Sequence, residues 1–390
     1  MEVSKRNFWI LMCISCLFGI AIGLYEFALP YYLKGRGISY EKMGYVFAIS
    51  FFFVLFVQIF SARLSDLSGR KPFYSLSALF SAISTFLTPL STKISILTFL
   101  KTIRETAGAI QDTIGSVILY ESISRTKYLF TMSRISGFNF LFQGAGIFAA
   151  GLLMLQGYDF PFFVAGGAVF LAFLLFQIGF REIKVSEEDE PVVSFSGDLR
   201  LLNKNLILLT VSGFIANMGV ALSHTQMMPL FFSVKYGVKE SWVAVLLAFH
   251  RISFGLPMIF TGNWLKGRLL SPRNLKWLYI LFLGMQDIAI SGTAFMPTFP
   301  LAAGVWLVHD AIGASVWAPV RSTLLQYYSR DETRALQIAL VGALSNIGWM
   351  FGPIIAGYLA NIDISLPFSM SGALAFLGIF PMMALDVERQ

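Results

Sequence analysis

The sequence predicts an all-α membrane protein with twelve transmembrane helices in two pseudo-symmetric six-helix bundles. Three observations lead to this fold class. Hydrophobic residues make up 56% of the 390-residue chain and charged residues only 13%, whereas soluble domains carry about 25% charged residues. Apolar runs long enough to cross a bilayer follow one another along nearly the whole chain. The last six of these runs repeat features of the first six.

The apolar runs number twelve, and we call them spans 1 to 12. A helix crosses the hydrocarbon core with about 20 mostly apolar residues, whereas the strands of a membrane barrel are shorter and alternate in polarity. The lengths of the runs therefore predict helices. Spans 1 to 6 cover residues 8–33, 43–62, 73–91, 94–120, 132–155 and 160–180. Spans 7 to 12 cover residues 206–232, 241–265, 275–295, 299–328, 335–360 and 366–385.

One long polar stretch divides the spans into two sets of six. The predicted domains are an N-terminal half over residues 1–180, a linker over 181–205 and a C-terminal half over 206–390. The linker contains an acidic run at residues 187–190, which is typical of a solvated segment. Most Lys and Arg residues fall on the side that holds the linker and both termini. The positive-inside rule therefore predicts a multi-pass protein of the cell membrane with both termini in the cytoplasm.

The two halves share short sequence patterns in the same order. Residues 48–65 of span 2 align with residues 248–265 of span 8, and Arg104-Glu105 of span 4 corresponds to His309-Asp310 of span 10. Each match is weak alone, but ordered matches indicate a duplicated six-span unit. Several transporter folds are built from such repeats.

Span 4 carries a stripe of charged residues. Lys101, Arg104, Glu105 and Asp112 recur at steps of three to four residues together with glycines, so they share one face of a helix. A charge at the centre of a span costs about 2.5–3.5 kcal/mol on insertion scales, and four charges will not face lipid. They face an aqueous cavity or each other. Pairing within the helix, such as Lys101 with Glu105, is the structural alternative.

Ionisable residues also occur in other spans. Glu26 in span 1 lies at a depth similar to that of Arg104, because the rise per residue places both well inside the bilayer. We therefore hypothesise a Glu26–Arg104 ion pair. His224 and His309 are either proton relays or ordinary hydrogen-bonded histidines. The candidate substrate and proton pathway consists of Glu26, Lys101, Arg104, Glu105, Asp112, His224, Arg251, His309 and Asp310.

The loop after span 2 carries a recognisable signature. Residues 62–71 read A-R-L-S-D-L-S-G-R-K and resemble the G-x-L-x-D-R-x-G-R-K signature of the major facilitator superfamily. The matching residues, which we expect to act as a cytoplasmic gate, are Asp66, Gly69, Arg70 and Lys71. Ala62 and Leu67 depart from the signature. The resemblance implies a secondary transporter in which spans 1, 4, 7 and 10 line a central cavity.

Two further motifs bear on this resemblance. Leu100, Arg104 and Gly108 resemble the family's fourth-helix motif, which implies a role for the arginine in proton transfer. Span 11 contains a GxxxGP run. Antiporters of the family carry such a run in the fifth helix instead. The different position of the run argues against exchange of substrate for protons. Small residues allow close helix packing, and the packing residues we single out are Gly146, Gly348, Gly352 and Pro353.

The sequence contains no nucleotide-binding loop or catalytic constellation, and its CxxC pair, Cys13 and Cys16, lies inside the apolar span 1 without a second pair of ligands, which favours a structural role. We expect no enzyme activity, no cofactor and no metal. The expected partners are a small organic solute, protons and the lipid bilayer, with no nucleic acid, and the protein is expected to be a monomer. Proton-coupled efflux of drugs or metabolites by alternating access is the leading hypothesis. Uptake or exchange of an organic anion, attracted by Arg104 and Arg251, and a non-transporting receptor on the same fold are the alternatives.

Overall fold

The computed structural model describes residues 3–122, 125–181, 202–264, 271–330 and 334–387. These residues are almost entirely helical and contain no strand. Nine helices among them are long and apolar enough to cross a membrane. Most of the linker predicted over residues 181–205, including its acidic run, lies outside the described residues.

Each of the twelve spans corresponds to a helix or to consecutive helical segments. Spans 1 to 6 are Val3–Gly35, Tyr40–Ser68, Arg70–Leu87, Ile94–Ser122, Arg125–Leu153 and Phe160–Gly179. Spans 7 to 9 are Lys204–His224 with Met227–Tyr236, then Glu240–Trp264, then Pro272–Thr293. Span 10 is Phe299–Val308, the π-helical turn His309–Ala314 and Ser315–Tyr328. Spans 11 and 12 are Arg334–Asn346 with Gly348–Ile362, and Leu366–Phe376 with Ile379–Met383.

Polar residues fix several helix boundaries beyond the apolar runs. The side chain of Asn203 accepts a hydrogen bond from the Leu206 amide (2.9 Å) and caps the start of span 7. Ser39 and Ser271 cap spans 2 and 9 in the same way. Such residues satisfy amide groups that a helix start leaves without intrahelical partners. The helices therefore extend past several of the predicted apolar boundaries.

The duplication is visible in the contacts that close each half. At the start of span 3, the Lys71 ammonium donates to the carbonyl oxygens of Gln177 (3.3 Å) and Phe180 (3.1 Å) at the end of span 6. At the start of span 9, Lys276 donates in the same way to Met383 (2.8 Å) and Leu385 (2.9 Å) at the end of span 12. A lysine is favourable at a helix C-terminus, where carbonyl groups lack partners. The same contact between a lysine and the end of a helix therefore occurs in both halves.

The two halves meet through span 2 against span 11 and span 5 against span 8. We call the end of the bundle that holds the linker the linker end. At the opposite end, the hydroxyl groups of Tyr45 and Tyr358 lie 2.7 Å apart, and Tyr31 donates to the Pro229 carbonyl (2.8 Å). Gly44 lies against the backbone of Pro353. The halves are thus packed together at the end opposite the linker.

Glycines bring neighbouring helices into backbone contact within each half. Gly146 of span 5 lies against the backbone of Ile20 in span 1. Gly348 and Gly352 of span 11 lie against span 7. The Pro353 carbonyl accepts a hydrogen bond from Gln226 Nε2 (2.8 Å). A side chain at these glycines has no room unless a helix moves.

We expect Gly146→Ala to lower the melting temperature of the purified protein. The added Cβ overlaps the Ile20 backbone, and overpacking of this kind costs about 1–3 kcal/mol. Gly167→Ala in span 6 is the matched control, because a Cβ there meets no atom within 4 Å and alanine favours a helix over glycine. Thermal unfolding in detergent measures both variants. Equal melting temperatures would show that the contact between spans 1 and 5 tolerates a side chain.

Candidate functional site

A cluster of four charged side chains lies between spans 1 and 4. Arg104 Nη1 lies 2.8 Å from Glu26 Oε1 and 2.8 Å from Glu105 Oε1. Lys101 Nζ lies 3.0 Å from Glu105 Oε1 and 3.7 Å from Glu26 Oε2. The structure therefore contains both the hypothesised Glu26–Arg104 contact and the alternative pairing within span 4. With two cations and two carboxylates, the ionised cluster has no net charge.

Aromatic rings support the two cations of this charged cluster. The Arg104 guanidinium lies 3.9 Å from the centroid of the Tyr25 ring, and Lys101 Nζ lies 4.2 Å from the centroid of the Phe47 ring. Both cations are buried, at 7% and 1% exposure. A buried cation needs a charged or π-electron partner to offset its lost hydration. These contacts hold the cations in place and leave Glu26, whose side chain is 30% exposed, as the most accessible member.

A narrow central pocket brings one charged group from each half together. Glu26 and Gln143 line it from the first half, and Arg251 and Met228 line it from the second. The remaining lining is mostly apolar. Glu26 therefore belongs both to the charged cluster and to a pocket that joins the two halves.

A second polar cluster lies inside the C-terminal half. His224 Nε2 and His309 Nε2 are 3.0 Å apart, and His309 Nε2 is 3.2 Å from Asp310 Oδ1. His250 Nε2 is 2.8 Å from Asp310 Oδ2. The chain has three histidines in all, so all of them meet here. We call His224, His250, His309 and Asp310 the histidine cluster.

A local irregularity of span 10 positions the histidine cluster. His309 and Asp310 begin the π-helical turn that interrupts the span. Such turns insert one residue into a helix and occur often at functional sites. The Trp306 ring stacks on His250, with ring centroids 5.4 Å apart. Across the turn, Gly313 allows the backbone of Gln286 in span 9 to approach closely.

The other predicted site residues lie outside these two clusters. Asp112 is exposed on span 4, two turns from Glu105 towards the linker end. In the gate motif, Gly69 has a φ of 92° between spans 2 and 3, which favours glycine, and Arg70 donates to Ser65 Oγ (3.3 Å). Lys71 binds the end of span 6, as described above. The side chain of Asp66 lies outside the described residues, so its expected latch role stays a prediction.

His250 is the member of the histidine cluster that was not among the predicted site residues. It lies in span 8. Its ring is 1% exposed and lies against Asp310 rather than beside Arg251 in the central pocket. A search for local metal-ligand spacing cannot find this cluster, because its histidines come from spans 7, 8 and 10.

Comparisons with known proteins agree with this architecture. The family model described as Major Facilitator Superfamily matches residues 11–308. Multidrug resistance protein 1 of Bacillus subtilis (strain 168) is 24% identical over 97% of this chain and 96% of its own length. The quinolone resistance protein NorA of Staphylococcus aureus (strain MRSA252) is 21% identical over 97% of this chain and 95% of its own.

Solved structures show the same fold. A point mutant of the nucleoside transporter NupG superimposes with a TM-score of 0.82 at 12% identity, covering 98% of this chain and all of that one. A bacterial homologue of the human lysosomal transporter Spinster gives a TM-score of 0.75 at 15% identity, with complete coverage of both chains. The twelve helical spans in two halves, the signature after span 2 and the matched family model together show that this chain belongs to the major facilitator superfamily.

Proposed function

We propose that this member of the family is a proton-coupled efflux transporter of small amphipathic organic molecules. Membership in this family supports a membrane transporter, because its members are generally not enzymes. Relatives named for multidrug and quinolone resistance, at 24% and 21% identity, support the efflux assignment. The architecture supports alternating access, because the two halves meet around a pocket that neither half forms alone.

The position of Glu26 is the observation that carries the proposal of proton coupling. Its carboxylate faces the central pocket and also contacts Arg104 (2.8 Å) and Lys101 (3.7 Å). A proton on Glu26 removes one negative charge from a balanced cluster and weakens both contacts. The pairing of span 1 with span 4 then depends on protonation, which is the differential interaction that a coupled conformational change requires.

The lining of the pocket supports an amphipathic substrate. Met228, Phe27 and Leu247 offer apolar contacts, and methionine adapts to varied shapes. Glu26, whose side chain is 30% exposed, offers a carboxylate to a cationic group on the substrate, which would compete with Arg104 and Lys101 for it. The lining therefore matches an organic cation in charge and polarity.

Transport of an organic anion is the second candidate, and Arg251 is the observation that favours it. Its side chain lines the pocket, and its Nε makes no hydrogen bond within the described residues. Arg104 supports an anion less well than the sequence suggests, because Glu26 and Glu105 already neutralise it.

We expect purified protein in liposomes to move a lipophilic cationic dye against an imposed pH gradient. Proton coupling requires that a protonophore abolish this movement. Fluorescein, an organic anion, is the matched probe of opposite charge. Movement of the anion alone would favour the Arg251 proposal. Absence of flux for both probes would favour the non-transporting receptor and contradict the transport proposal.

The orientation and the oligomeric state belong to the same proposal. We propose that both termini face the cytoplasm of the cell membrane and that the monomer is the working unit. The excess of Lys and Arg at the linker end supports the orientation. A reporter fused to the C-terminus should be protected from an externally added protease in intact cells, and light scattering should give the mass of one chain in detergent.

A further inference from the structure

The histidine cluster holds two ring nitrogens in close contact. His309 Nδ1 hydrogen-bonds to the Trp306 carbonyl, and a carbonyl oxygen only accepts, so Nδ1 of His309 carries a hydrogen and Nε2 of the neutral ring presents a lone pair. His224 Nδ1 lies 2.9 Å from Ser223 Oγ and 3.2 Å from the Val220 carbonyl, so either ring nitrogen of His224 can carry its hydrogen. With that hydrogen on Nδ1, the two Nε2 atoms, which are 3.0 Å apart, present lone pairs to each other, and a cation between them makes the contact favourable.

The remaining members of the cluster, His250 and Asp310, also have buried polar atoms without hydrogen-bond partners in the part of the chain that the structure describes. Both ring nitrogens of His250 and Asp310 Oδ2 are buried and make no hydrogen bond of acceptable geometry within the described residues, although His250 Nε2 and Asp310 Oδ2 are 2.8 Å apart. His250 is 1% exposed and Asp310 5%. Buried polar atoms without partners are costly. One nitrogen of His250 lies within 4.8 Å of a ring nitrogen of His224 and of His309.

We propose that the histidine cluster binds a divalent first-row transition-metal ion of the Zn²⁺ type. The ligands are one nitrogen of each histidine and the carboxylate of Asp310. One ligand atom from each histidine can be chosen so that all three lie within 4.8 Å of one another. Nitrogen and oxygen ligands lie about 2.0–2.2 Å from Zn²⁺ and hence about 3.3 Å apart in a tetrahedral site. Small movements of the rings close the site around the ion.

The chemistry of the ligands selects the class of ion. Imidazole suits zinc, copper, iron and nickel, whereas calcium and magnesium prefer all-oxygen sites. The hydrogen bond from His309 Nδ1 to the Trp306 carbonyl fixes the orientation of that ring, as is usual for metal-binding histidines. Asp310 supplies negative charge to a site that otherwise consists of neutral rings.

The ion is a resident of the C-terminal half rather than the transported substrate. Its ligands come from spans 7, 8 and 10 of that half, and neither His250 nor Asp310 lines the central pocket. A bound ion ties these three helices together. The consequence is a stiffer C-terminal half, whatever substrate the protein carries.

Metal content of the purified protein tests this inference directly. The protein is purified through a tag without histidine, stripped with a chelator and dialysed against Zn²⁺ or Co²⁺. We expect about one ion per chain by elemental analysis. The absorption spectrum of bound Co²⁺ should report tetrahedral nitrogen and oxygen ligands, and Zn²⁺ should raise the melting temperature, because a ligand stabilises the state that it binds.

Variants separate this site from adventitious binding. His224→Gln, His250→Gln and His309→Gln should each weaken metal binding by at least about tenfold, since even the loss of a residue that merely supports a ligand has this effect. Asp287→Asn is the matched control, because Asp287 is a buried carboxylate of the same half outside the cluster. Failure of the wild-type protein to retain Zn²⁺ or Co²⁺ would overturn the proposal in favour of a proton shared by the histidines. Equal retention by the triple glutamine variant would overturn it as well.

Discussion

Replacing Arg104 by alanine is expected to abolish proton-driven transport and to lower stability sharply. The guanidinium contacts both Glu26 and Glu105 at 2.8 Å. Without it, Lys101 is the one cation left for two carboxylates among the described members of the cluster. Removal of one partner from a buried ion pair costs about 3–5 kcal/mol. Transport in liposomes and the melting temperature in detergent measure the two effects.

Glu26→Gln separates coupling from stability. Glutamine keeps the size of the side chain but leaves the cluster with a fixed net positive charge, as in the protonated form of Glu26. We expect accumulation of substrate against its gradient to fall to background, while exchange of substrate without a proton gradient continues. The melting temperature should change less than in Arg104→Ala, because both remaining cations still contact Glu105.

The exposed pair Arg36–Asp159 provides the control for both variants. Its charged atoms are 4.0 Å apart, and the side chains are 38% and 50% exposed. Exposed pairs contribute about 0.2–1 kcal/mol, so Asp159→Asn should leave transport and stability close to wild type. Wild-type transport by Glu26→Gln and Arg104→Ala would show that proton coupling does not pass through this cluster. Loss of transport in Asp159→Asn would show that any loss of charge has the same effect.

The charged cluster was largely predictable because its geometry is nearly local. Lys101, Arg104 and Glu105 share one helix, and the helical period alone places them on one face. Glu26 required only a depth argument, since two spans of similar length fix how far each residue lies from the membrane surface. The family fold then brings span 1 next to span 4.

The histidine cluster was not predictable from the same reasoning. Its members come from three helices, and their meeting depends on how each helix is rotated about its axis. The π-helical turn at His309 changes this rotation within span 10. No short sequence pattern predicts such a turn. The internal repeat was the available signal, because His309-Asp310 corresponds to Arg104-Glu105.

The correspondence between the two clusters has a physical meaning. Each half places a basic residue and a carboxylate at the same point of its fourth helix, next to a polar residue of its first helix. In the N-terminal half the basic residue is Arg104, which remains charged at all physiological pH values. In the C-terminal half it is His309, a neutral ligand when its lone pair is used. One duplicated position therefore supports an ion pair in one half and a cation site in the other.

The contact between Gly44 and Pro353 is the basis of the second prediction with a large expected effect, a shift of the conformational equilibrium. Gly44 lies near the start of span 2, and a Cβ at this position overlaps the carbonyl group of Pro353 in span 11. The two helices belong to opposite halves, so the overlap is relieved when the halves separate at the end opposite the linker. Under the proposed alternating-access mechanism, such a change favours the other state rather than unfolding.

Gly44→Ala is therefore expected to shift the conformational equilibrium away from the structure described here. Overpacking costs about 1–3 kcal/mol, which corresponds to a shift of about 5- to 150-fold. Spin labels at Tyr45→Cys and Tyr358→Cys, in a chain whose Cys13 and Cys16 are replaced by serine, report the separation by pulsed electron resonance. Gly304→Ala is the control, because a Cβ there meets no atom within 4 Å. We expect the population with distant labels to grow in Gly44→Ala alone, because only there does the closed packing exclude a methyl group. An unchanged distance distribution would mean that the contact between spans 2 and 11 does not govern this end of the pathway.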